Sequence, residues 1–165
     1  MKKRLIINIL FISFLFCQSL SYAAPLFDSN IEAALSSAES FFKTMKNKNY
    51  PKIWSLLTQK SKDVIIGDIY KAEAGAGTVY LRENINNDLN NGGTLSKAYW
   101  KSFLENFNPD MVLEYSKWDT GKFEKDKGEI IIKYKKAESP ATLMMFKENG
   151  SWKVGLVETF WTRKK

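Results

Sequence analysis

The hydrophobic period of this chain changes once, near Met111, and that change constrains the fold more than any other feature. Before it, apolar residues recur at steps of three and four; after it, at steps of two. A chain that places its helices first and its strands last builds an α+β domain. Here the N-terminal helices are expected to pack on a curved, cone-like antiparallel sheet of about four strands.

On the helical side, Ser29-Asn30-Ile31-Glu32 has the form of a capping box, and Ile31, Leu35, Ala38, Phe42 and Met45 supply one buried stripe. Residues 46–49 read as a turn, with Asn49 as the next cap and Pro51 in a first helical turn. Ile53, Trp54, Leu56 and Leu57 follow as an apolar face, and a further helix is expected over about 61–73. Residues 74–94 carry a weak pattern. They read as a slack surface connection with a short helix near 79–89, a functional lid being the alternative. Ala74-Gly75-Ala76-Gly77 lacks the glycine spacing and the Lys-Ser/Thr of a phosphate-binding loop. Ser96 is expected to cap a helix carrying Tyr99, Trp100, Phe103, Leu104 and Phe107, ended by Asn108-Pro109-Asp110.

On the strand side, period-two runs predict strands over 112–118, 129–135, 143–147 and 152–161. Asn149-Gly150 joins the last two as a hairpin turn, because both residues tolerate positive φ.

The first 23 residues read as a secretory signal. Lys2, Lys3 and Arg4 precede a 12-residue apolar run from Leu5 to Phe16, and small residues follow. That run falls short of the roughly 20 residues a membrane span needs. Cleavage after Ala23 puts Ser21 and Ala23 at the two positions that must be small. A lipid anchor on Cys17 is the competing reading, but Phe16 stands where that site wants a small residue. The expected product is one domain, residues 24–165, delivered to the periplasm or secreted.

Removal of the leader has chemical consequences. The only cysteine, Cys17, leaves with it, and the chain has no histidine. Disulfides, thiolate nucleophiles, His-based triads and His- or Cys-ligated metals are thereby excluded. No metal site and no cofactor is expected. Net charge falls from +7 to +4 when the three leader cations are lost. The basic clusters 133–136 and 163–165 are short and the other lysines alternate with acids, so nucleic acid is not an expected partner.

Two stretches resemble a known family. Ala38-Glu39-Ser40-Phe41-Phe42-Lys43 followed by Asn49-Tyr50-Pro51-Lys52-Ile53-Trp54-Ser55-Leu56-Leu57 is similar to the opening of the nuclear-transport-factor-2-like superfamily. Residues 145–154, with Asn149-Gly150-Ser151-Trp152-Lys153-Val154, resemble its terminal hairpin. The resemblance implies a cone of sheet around helices with a pocket at its wide end. It carries no catalytic residues over, because its motifs mark a fold.

Three functions follow as expectations. The first is a non-enzymatic envelope domain binding a small apolar ligand or a protein partner in that pocket, with Trp100, Phe103, Tyr134, Met144, Trp152 and Phe160 as lining residues. The second is a proton-transfer enzyme of the isomerase or dehydratase kind. Strand alternation places Glu158 in an apolar row with Trp152, Val154 and Leu156, where burial would raise its pKa, and Tyr134 or Tyr115 supplies a hydroxyl. The third is an assembly module, a homodimer formed through the sheet with Trp118 and Trp161 on the pairing face.

Overall fold

The computed structural model describes residues 26–160, with side chains from Ser29 onward. The leader, Cys17 and Trp161 lie outside the described residues. Six helices come first: α1 (Leu26–Lys46), α2 (Tyr50–Ser55), α3 (Gln59–Gly75), α4 (Arg82–Asn91), α5 (Thr94–Asn106) and α6 (Pro109–Leu113). Four strands follow, β1 (Ser116–Phe123), β2 (Lys127–Tyr134), β3 (Ala141–Glu148) and β4 (Ser151–Gly155), and then a last short helix, α7 (Leu156–Phe160). The strands form one antiparallel meander in the order β1-β2-β3-β4. The α+β class read from the change of period is the class observed.

The long first helix starts at Leu26, upstream of the capping box expected at Ser29. Its buried stripe is Ala34, Ala38, Phe41, Phe42 and Met45: Ala38, Phe42 and Met45 are buried as expected, while Ala34 and Phe41 take the place of the half-buried Ile31 and Leu35. Two alanines on that stripe let the helix lie close to the sheet, and the Ser37 hydroxyl donates to the Trp152 carbonyl of β4 at 2.7 Å. Asn49 caps α2 as expected, its side chain accepting from the Lys52 N–H, with Pro51 in the first turn. The next helix is longer than the pattern suggested. Thr58 caps it, accepting from the Ser61 N–H at 3.1 Å.

Residues 74–94 are mostly helix, not slack loop. The weak apolar pattern there still buries Ile85 and Leu89 completely, and these hold α4 to the core. Gly92 ends α4 in the left-handed conformation, at φ 67°. The cap of α5 also differs from expectation. Ser96 is buried within the first turn, and its backbone N–H donates to Asp88 Oδ1 at 2.8 Å, so the preceding helix supplies the capping oxygen.

The first strand was misplaced by sequence reasoning. Asn108 and Pro109 start a helix, with the Asn108 side chain accepting from the Asp110 N–H, and Val112 is buried on that helix. The strand begins at Ser116 instead. In β2 and β3 the alternation holds: Gly128, Ile130, Ile132, Leu143 and Met145 face the core. Gly128 is required by close approach, since a Cβ there would stand 2.3 Å from the Phe123 ring. The hairpin at Asn149-Gly150 is observed, with φ of 50° and 77°.

The last strand ends six residues earlier than expected. At Gly155 the ladder stops, because the Thr159 hydroxyl replaces the strand: it accepts from the Met144 N–H at 2.9 Å and donates to the Gly155 carbonyl at 2.6 Å. The chain turns there into α7.

Candidate functional site

Tyr99 and Phe103, four residues apart on α5, share one helix face, and Phe107, the extended residue that ends the helix, adds a third ring beside them. Phe160, at the end of α7, stands across from them, and together with Ser102 and Asn106 they line an open groove of about 520 Å³. Below the groove lies Trp100, fully buried and in edge-to-face contact with both Tyr99 (centroids 5.1 Å) and Phe103 (5.6 Å). Phe107 stacks on Phe42 of α1 at 5.8 Å, and Phe42 meets Trp118 edge-on at 5.7 Å. Rings that contact one another in this way form a stiff wall. Burial, with a smaller contribution from the charge of Asp68, pushes the Tyr99 phenol well above its ordinary range, so it stays neutral.

A second hollow of about 230 Å³ adjoins the first and shares Asn106 and Phe107 with it. It continues past Met111 and Ile132 to Tyr134 and Ala141. Met111 and Phe160, 38% and 42% exposed, leave apolar surface open at the second hollow and at the groove.

The six expected lining residues are dispersed by the structure. Phe103 and Phe160 meet in the groove, and Tyr134 lies in the adjoining hollow. Trp100 is the floor beneath, and Trp152 belongs to the core, packed edge-on against Phe123 at 5.8 Å. Met144 faces away from inward-pointing Leu143 and Met145. Sequence reasoning missed Tyr99, Ser102, Asn106, Phe107 and Met111 as lining residues. The four-residue recurrence of aromatics on α5 was the available signal; its partner across the groove, a helix at 156–160, was not visible.

Glu158 requires a correction. It sits on α7, not in a strand row with Trp152, Val154 and Leu156. Its carboxylate accepts from the Ser61 hydroxyl at 2.8 Å and from the Thr58 hydroxyl at 3.2 Å. Ser61 Oγ also accepts the Val157 N–H at 3.1 Å, which satisfies the start of α7. Ser61 and Thr58 are buried, so the Ser–Glu contact is a lock between α3 and α7 and offers a substrate no approach to the hydroxyl. Tyr134 lies beside the second hollow on β2, and Tyr115 is exposed just before β1. Glu158 lines neither the groove nor the second hollow.

Trp118, expected on a pairing face, is half-buried. Its ring packs on Phe42 and its indole N–H donates to the Val112 carbonyl at 2.9 Å. No helix among the described residues is long and apolar enough to cross a membrane. Among the same residues no cluster of three or more acidic, histidine or cysteine side chains could hold a metal ion. Compared with protein-family models, curated proteins and solved structures, the chain finds no match.

Proposed function

We propose that this chain is an exported, non-enzymatic binding domain of the nuclear-transport-factor-2-like type, and that it takes a small apolar ligand in the groove along α5. One observation carries the reading: four aromatic side chains, Tyr99 and Phe103 of α5, Phe107 at its C-cap and Phe160 of α7, line an open groove of about 520 Å³ over a fully buried tryptophan. Apolar surface left at the rim of a stiff aromatic wall suits a flat or chain-like hydrophobic molecule. The amides of Asn106 and the hydroxyl of Ser102 would orient a single polar end. Export is supported by the basic, apolar and small-residue order of residues 1–23.

The test is a titration with the neutral fluorophore N-phenyl-1-naphthylamine. Saturable one-to-one enhancement is expected, with Phe103→Ala and Phe160→Ala each weakening binding about tenfold or more, as loss of a ring that the ligand would cover implies. Unchanged affinity in both variants rejects the groove. The mass of the exported product, expected to begin at Ala24, tests the compartment.

A further inference from the structure

The helical half carries a second hollow of about 550 Å³, between α2, α3 and α4, built from different chemistry. Two cations line it, Lys62 of α3 and Arg82 of α4. Each is held by an aromatic ring in place of a carboxylate. Lys62 Nζ stands 5.7 Å from the ring centre of Trp54, and the Arg82 guanidinium lies 5.1 Å over Tyr70. The same guanidinium runs along the Gly67 backbone, where a Cβ would be 3.7 Å from Nη1 and 3.9 Å from Nη2. Stacked in this way, both groups are positioned while their N–H donors stay unused.

The acids nearby do not take up those donors. Asp63 and Glu83 also line the cleft, but none of the ion pairs among the described residues includes Lys62 or Arg82. Asp63 accepts instead from the Gln59 side chain at 2.9 Å. Trp54, fully buried, lines the cleft, and its indole N–H, buried with it, has no acceptor. Burial and the neighbouring Lys153 charge lower the Lys62 pKa against the smaller opposing effect of the Glu148 and Asp63 carboxylates, so an anion arriving beside Nζ would stabilise its charged form.

We infer that this cleft is a binding site for a phosphate monoester group borne on a small polar molecule. A planar guanidinium fork and an ammonium point charge together match a tetrahedral dianion. The group carries about −1.5 to −2 at neutral pH, enough for both cations. The hollow is larger than a bare phosphate needs, and the amides of Asn86 and Gln59 are placed for the polar body that carries it. The site is separate from the apolar groove and does not depend on it.

The test follows backbone amide shifts while the protein is titrated with glycerol 3-phosphate, inorganic phosphate and, as the uncharged control, glycerol. Vesicles of phosphatidylcholine with and without phosphatidic acid form the second arm. Saturable binding of glycerol 3-phosphate, centred on the first turns of α3 and α4, is expected; selective binding to the phosphatidic acid vesicles assigns the same chemistry to a lipid headgroup. Lys62→Gln and Arg82→Gln should each weaken binding at least about tenfold. Arg82→Lys, which keeps the charge but loses the fork, should weaken it as well and serves if Arg82→Gln fails to fold. The double variant Lys133→Gln/Lys135→Gln, at an exposed basic cluster on the sheet side, should bind like the wild type. The proposal is overturned if no phosphate probe binds saturably, if glycerol binds equally well, or if only the double variant weakens binding.

Discussion

The two larger hollows of the helical half are nearly equal in volume, about 520 and 550 Å³, yet they are made of opposite materials. The groove along α5 offers ring faces and edges with few polar atoms. The cleft between α2, α3 and α4 offers donors fixed by stacking, with more polar than apolar surface. Both rest on a fully buried tryptophan, Trp100 beneath the first and Trp54 beneath the second. The difference teaches that volume alone does not select a ligand. What selects it is the chemistry that the fold leaves unused at the wall: apolar area in one case, N–H groups in the other.

The floors are the first place to test this comparison. Trp100→Ala and Trp54→Ala should each cost about 3–5 kcal/mol in urea unfolding, because each removes a large, fully buried side chain. A loss below about 1 kcal/mol at either position would mean that its hollow does not rest on the indole. A smaller effect is expected at the lock between α3 and α7. Ser61→Ala removes the acceptor of the Val157 N–H and one of the donors to the Glu158 carboxylate and should cost about 1–3 kcal/mol. Phe160 is carried on α7, so affinity for the apolar fluorophore should fall in the same variant. Unchanged affinity at reduced stability would show that α7 is held in place by its other contacts.

The smallest effect is confined to alkaline pH. Burial keeps Tyr99 protonated in the folded state beyond the range where an unfolded tyrosine ionises, about pH 10. The folded protein therefore holds a proton that the unfolded chain releases. Stability should be unaffected by this group below about pH 10 and should fall as pH rises above it. Near-ultraviolet absorbance should show one tyrosine ionising late, and Tyr99→Phe should remove that delayed step. If the delayed step persists in the variant, the α5 wall is wetter than its geometry indicates.

Local signals were legible where a residue acts on its own neighbours. Asn49 caps the helix that follows it, Pro51 occupies its first turn, and Asn149-Gly150 bends one hairpin. The order of helices and strands was legible because hydrophobic period is itself a local property. Signals failed where a distant group decides. The strand expected through residue 161 stops at Gly155 because Thr159 and Ser61 capture backbone N–H groups there, one of them across 96 positions of sequence. The alternation that placed Glu158 in an apolar row therefore had no strand beneath it. Ser96 was expected to cap α5, but Asp88 does so from the preceding helix. The groove was half legible for the same reason: the row on α5 is periodic, whereas Phe160 reaches it only through α7.

The contact between the α2–α3 connection and β4 has a consequence for how this protein meets other copies of itself. Leu56 accepts the Val154 N–H at 2.8 Å, the Thr58 N–H donates to the Val154 carbonyl at 3.0 Å, and Ser37 occupies the Trp152 carbonyl. The outer rim of β4 is thereby occupied by the chain's own helical half. The opposite rim belongs to β1, which carries the exposed charges Lys117, Asp119 and Lys122. A foreign strand seeking to extend the sheet meets occupied hydrogen-bonding groups at one end and charges at the other, an arrangement that guards against fibre-like growth.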